Sequence, residues 1–110
     1  MKTNKLSDKK VVKVSPVKTQ RVLHTDNLMM SVWDFSDGPW DEPEPCHSHP
    51  HEQVVYLAEG EVMFTVGEES TRLSAGDMIA VPGDLPHTIQ LLTPVVRIID
   101  TWTPVRHEFL

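Results

Sequence analysis

Three of the chain's six histidines, His47, His49 and His51, fall within the stretch CHSHPHEQ at residues 46–53. Imidazole is the commonest neutral ligand for first-row divalent ions, and two histidines one residue apart share a face of an extended chain. His47 and His49 are therefore candidate ligands of one metal ion. Pro50 interrupts the alternation, so the same argument does not reach His51. The stretch lies mid-chain and is broken by Ser48, Pro50 and Glu52, which rules out an appended affinity tag. Cys46, the single cysteine, has the opposite parity to the two histidines, and a packed thiol is the favoured reading for it over a fifth ligand. Two imidazoles do not make a site, so other segments must bring the remaining donors.

Those segments read as strands. Helical periodicity is nearly absent, and alternating runs at residues 28–35, 53–58, 61–66, 71–73, 78–81, 87–92 and 95–102 end at turn residues such as Gly60, Gly67 and Gly83. Turn signals every eight to twelve residues predict an all-β antiparallel sandwich or barrel. Alternation also assigns faces. Gln53 is in phase with Val55 and Leu57, His87 with Ile89 and Leu91, and Asp100 with Val96, Ile98 and Trp102. A buried polar group without a partner costs roughly 1–3 kcal/mol, so three of them in phase with apolar neighbours imply mutual pairing or a functional cavity.

At 110 residues the chain has room for one domain and one modest core. Its net charge of −6 argues against a nucleic-acid or anionic-membrane partner, either of which calls for a basic face. The charge is uneven, with seven Lys/Arg against one Asp in residues 1–21 and three against fifteen thereafter. Residues 1–20 are accordingly expected to form a basic, partly flexible segment preceding a domain at 21–110. No apolar run matches a membrane span or a signal peptide, and a lone cysteine suits a reducing compartment, so the expected location is the cytoplasm.

The spacing His47-x-His49-x3-Gln53-x6-Gly60, followed by Gly76-x5-Pro82-x4-His87, resembles the two motifs of the cupin superfamily. The resemblance spans residues 28–104 and implies a small jelly-roll β-barrel, commonly a homodimer. It also implies one divalent transition ion (Zn, Ni, Fe or Mn) held by His47, His49, Gln53 and His87. His51 then falls between ligand positions, with a supporting or surface role. Two departures stand out. Gln53 occupies the place of the usual carboxylate, and a neutral ligand leaves the ion its full charge, favouring Lewis-acid behaviour. Leu91 stands where Asn is frequent, a change of packing.

Within the cupins, HSHPHEQVVYLAEGE and the terminal DTWTPVRHEFL are similar to pectin-degradation cupins that linearise unsaturated monouronates. That resemblance implies a cavity lined by Asp100, Trp102 and Arg106, with Trp102 replacing the usual Phe. The acidic loop at residues 38–46 is about three residues longer than the family's usual spacing. The implied activity is isomerase or lyase-type chemistry on a small carboxylated sugar. The alternatives are a three-His iron dioxygenase, a polyketide cyclase, or a non-catalytic cupin that binds a small molecule. His24 and His107 are expected to be solvated.

Overall fold

Alternating burial runs through the strands that enclose the interior of the computed structural model, which describes residues 3–110. In chain order the strands are β1 (Val12–Ser15), β2 (Lys18–His24), β3 (Met29–Phe35), β4 (Glu52–Glu59), β5 (Glu61–Val66), β6 (Glu69–Ser74), β7 (Met78–Val81), β8 (His87–Leu91) and β9 (Val96–Thr103). They form a six-stranded sheet in the order β1-β2-β3-β9-β4-β7 and a three-stranded sheet in the order β6-β5-β8. Every pairing is antiparallel. Short 3-10 turns at Leu6–Asp8 and His107–Phe109 are the only helical pieces among the described residues. None is long and apolar enough to cross a membrane.

The period-2 pattern puts β-branched and aromatic side chains on the facing sides of the two sheets. From the larger sheet come Met29, Trp33, Phe35, Val55, Leu57, Val96, Ile98 and Trp102, and from the smaller come Val62, Phe64, Leu73, Ile89 and Leu91. Leu57, Val62 and Leu91 are fully enclosed, a burial that stabilises by roughly 2–3 kcal/mol for each large side chain. Leu91 is thus a core residue, in keeping with the packing change expected there. The two sheets form a sandwich-like, incompletely closed barrel: the larger sheet's hydrogen-bond ladder ends at β7 and the smaller one's at β8.

The second half of the basic N-terminal segment is ordered sheet. β1 pairs with β2, β2 pairs with β3 along its full length, and the expected boundary at residue 20 falls inside β2. Gln20 is buried and donates from Nε2 to Ser31 Oγ at 2.9 Å. The lysines disguised these strands because β1 is an edge strand exposed on both faces, where charge protects against further pairing. Residues 1 and 2 of the segment lie outside the described residues.

The 3-10 turn at Leu6–Asp8 buries no residue. Deletion of residues 1–10 is therefore expected to move the Tm by no more than a few degrees. Deletion of residues 1–24, which strips β1 and β2 from the large sheet, is expected to lower the Tm by more than about 10 °C. Thermal denaturation of the two truncated proteins checks both.

Candidate functional site

The candidate site lies where the two sheets approach without a continuous ladder. There, ahead of β4, His47 forms a single antiparallel bridge to His87, the first residue of β8. His47 N donates to His87 O at 3.1 Å and His87 N donates to His47 O at 2.9 Å. Directly opposed residues of an antiparallel pair project to the same side. The His47 and His87 rings accordingly meet with centroids 4.2 Å apart, and His49 adds a third ring 4.8 Å from that of His87. One ring nitrogen from each histidine lies within 4.8 Å of the others, an arrangement able to hold a metal ion.

Backbone carbonyls set the orientation of two of these rings. His49 Nδ1 lies 3.0 Å from His51 O, and His87 Nδ1 lies 3.0 Å from Leu85 O. A carbonyl only accepts, so each Nδ1 carries the proton and each Nε2 presents a lone pair. His51 thus serves through its main chain and stands outside the three-histidine group. The segment carrying it is held close to Gly83, where a Cβ would come within 2.6 Å of Pro50 O. His49 Nε2 and Gln53 Oε1 are both buried without a hydrogen-bond partner. An imidazole lone pair and an amide oxygen left unsatisfied beside two further histidines make up a donor set that suits a divalent ion, so the residues present fit a metal. Cys46, expected to be packed, is exposed: its parity carries it away from the interior, and no layer covers that side.

The histidines open onto a cavity of about 270 Å³ between the sheets, lined by Trp33, Phe35, Phe64, Ile98, Asp100, Trp102 and others. Asp100 occupies the predicted inward face of β9, between Ser31 on β3 and Val55 on β4. Neither arginine near it in sequence is its partner. Arg97 binds Asp34 on the outer face at 2.7 Å, and Arg106 Nε binds Glu108 at 2.8 Å. The Trp33 indole lies near enough to favour the charged carboxylate, yet the geometry is short of a hydrogen bond: Trp33 Nε1 and Asp100 Oδ1 both lack partners. Desolvation dominates and pushes the Asp100 carboxyl up to about 7. It acts oppositely on His47, lowering it to about 4, with the neighbouring His87 and His49 adding to the shift. His49 is lowered for the same leading reason.

Trp102 is buried, and its indole Nε1 is also unpaired. The chain after β9 folds back over the cavity, so that Arg106 lies 4.9 Å from the Trp102 ring centroid and 4.3 Å from that of Phe109. The structure therefore brings all seven predicted residues to one place: His47, Gln53, His87, Asp100, Trp102 and Arg106 line the cavity, and His49 packs against His87 and Trp102 at its edge. His24 and His107 lie elsewhere, His24 at the end of β2 and His107 exposed in the last 3-10 turn.

Among the further lining residues that escaped the sequence reading are Lys18, Trp33, Glu44 and Phe109. Lys18 was hidden among the N-terminal lysines. Its signal was phase, since it alternates with Gln20 and Val22 on the inward face of β2. Glu44 belongs to the acidic loop, which runs along β8 through Trp40 N to Leu91 O at 3.0 Å and Glu44 N to Ile89 O at 2.9 Å.

Known proteins match this arrangement over most of its length. The family described as the cupin domain matches residues 37–99. The pectin degradation protein KdgF of Dickeya dadantii is 30% identical over 95 residues, which cover 86% of this chain and 84% of that one. Among solved structures, KdgF from Halomonas sp. superposes with a TM-score of 0.85 at 27% identity, covering 94% of each chain. An RmlC-like cupin from Shewanella frigidimarina gives a TM-score of 0.85 at 27% identity, over 94% of this chain and 91% of that one.

Two outcomes are expected of the site. Replacing His47 and His49 together by Ala should abolish stoichiometric metal, read by elemental analysis of the purified protein. In metal-free protein the raised Asp100 pKa means that the folded state holds its proton more tightly than the unfolded state, so this group's contribution to stability is lost as pH rises from about 4 through about 7. The lowered His47 pKa acts the other way between about 4 and 6.5. Asp100→Asn removes only the first effect. The stability of that variant relative to the parent should therefore grow by roughly 2–3 kcal/mol between pH 5 and pH 8, measured by urea denaturation.

Proposed function

This chain belongs to the cupin family, and from that premise we propose that it is a metal-dependent isomerase or lyase-type enzyme acting on a small carboxylated sugar such as an unsaturated uronate. The observation that carries the proposal is the set of buried, unpartnered polar atoms at one cavity: His49 Nε2, Gln53 Oε1, Asp100 Oδ1, Trp33 Nε1 and Trp102 Nε1. Buried polar atoms are nearly always paired, so five orphans at one apolar-walled cavity are recognition groups for a ligand. The relative in Dickeya dadantii, named for pectin degradation, supports a uronate as that ligand.

His47, His49, Gln53 and His87 would hold the ion. A divalent ion bound there supplies Lewis acidity that polarises substrate oxygens, strengthened by the absence of a charged ligand. Asp100 is the proton carrier. In the metal-free protein burial pushes its carboxyl up to about 7, well above the usual carboxylate range, and a carboxylate made more basic by its apolar walls is suited to take a proton from a substrate hydroxyl or carbon and return it elsewhere on the same molecule. Arg106 is anchored through Nε to Glu108, which leaves its terminal nitrogens to pair with a substrate carboxylate. Trp102, braced by Phe109 at 5.6 Å, offers a flat wall for the ring and an indole N–H for one of its hydroxyls.

The test is turnover of unsaturated monouronates by metal-loaded protein, followed through the loss of the conjugated double bond. Asp100→Asn should lower kcat by about 100-fold or more with metal content unchanged. Arg106→Lys should act mainly on KM, because a point charge replaces a planar two-donor fork. Tight uronate binding without turnover by the parent would make the protein a binder and end the catalytic reading.

A further inference from the structure

Lys18 is the second cation at the cavity, and nothing in the reaction outlined above uses it. It stands at the start of β2, opposite Phe35 in the register, and its ammonium lies 4.7 Å from the Trp33 ring centroid and 5.4 Å from that of Phe35. The side chain is only 21% exposed. Its charge is felt at both His47 and Asp100, which places it within electrostatic reach of the metal-ligating and proton-carrying groups together.

Its partner is Glu44, and the pairing is loose. Lys18 Nζ lies 3.4 Å and 3.5 Å from the two carboxylate oxygens, against about 2.8 Å for a strong charge-assisted bond. The Glu44 main chain, by contrast, is fixed to β8, with N donating to Ile89 O at 2.9 Å and O accepting from Thr88 Oγ1. Glu44 can therefore turn its carboxylate away by a side-chain rotation alone while the loop keeps its place. An ammonium has three donors, and a flexible four-carbon stem lets them follow a new acceptor.

The geometry points to Lys18 as a carboxylate-binding residue of this cavity and to Glu44 as its exchangeable internal counter-ion, displaced when an anionic sugar enters. The inference rests on the carboxylated-sugar reading and deepens it. Arg106 and Lys18 give the cavity two cationic groups from different elements, the C-terminal tail and β2. Glu44 holds one of them neutralised until a competing carboxylate arrives, which disfavours neutral sugars that cannot displace it. A purely structural ion pair between β2 and the loop would make the opposite demand, since removing either partner would then only loosen the wall.

The experiment measures binding of D-galacturonate and of D-galactose, its neutral counterpart, to metal-loaded protein by calorimetry, with Tm and metal content recorded for each variant. The parent should prefer galacturonate. Lys18→Met, which keeps the stem over Trp33, should weaken galacturonate about tenfold and leave galactose unchanged, while Lys18→Arg should retain the preference. Glu44→Gln should tighten galacturonate several-fold, and the double variant should behave as Lys18→Met alone. If Glu44→Gln weakens galacturonate or leaves it unchanged, or if Lys18→Met keeps the parent's preference, the exchange is overturned and the carboxylated-sugar reading stands. A parent that does not distinguish the two sugars overturns that reading, and the role of Lys18 with it.

Discussion

The two hydrogen bonds exchanged between the His47 and His87 main chains hold the site together. They form the one isolated antiparallel β-bridge among the described residues, and it joins the segment entering the large sheet to the edge of the small one. Because opposed residues of an antiparallel pair project together, the bridge sets two imidazoles side by side, and alternation then carries His49 to the same point. The acidic loop preceding His47 follows from the same contact. Once the chain is docked on His87, it runs alongside β8 and bonds to Ile89 and Leu91 on the way. Where a closed barrel would spend the edges of its strands on further pairing, this one places its donors.

Desolvation then gives those donors their chemical character. The same apolar walls raise Asp100 and lower His47, because removing water disfavours whichever form is charged. Neutral imidazole is the form that binds a metal, and a carboxyl near 7 is the form that exchanges protons at physiological pH. Lys18 and Arg106 oppose desolvation at Asp100 and add to it at His47, so the two cations favour an anionic Asp100 beside a neutral His47. A bound dication would act in the same sense on Asp100, favouring its anion further.

Much of this was legible in the residues themselves. Period-2 alternation located seven of the nine strands among the described residues and put Gln53, His87 and Asp100 on inward faces, because a side chain's direction in a strand depends only on parity. Motif spacing selected the metal-ligating candidates. Cys46 shows the limit of parity: it says that the thiol points away from the histidines, and whether that side is packed or wet depends on layers that local sequence does not describe.

Tertiary structure alone decided the rest. β1 and β2 carry the lysines of a solvated tail, and they became strands because β3 offered an edge and an inward face for Gln20 and Val22. That docking brings Lys18 across from Glu44, 26 residues away, and the folding back of the C-terminal tail sets Arg106 and Phe109 against Trp102. By itself the sequence determined which residues point inward along each strand, since that follows from local geometry. Which inward groups meet, which remain unpaired and how far water is excluded from them were settled by the docking of segments distant in the chain, a matter of packing and loop closure that no local pattern encodes.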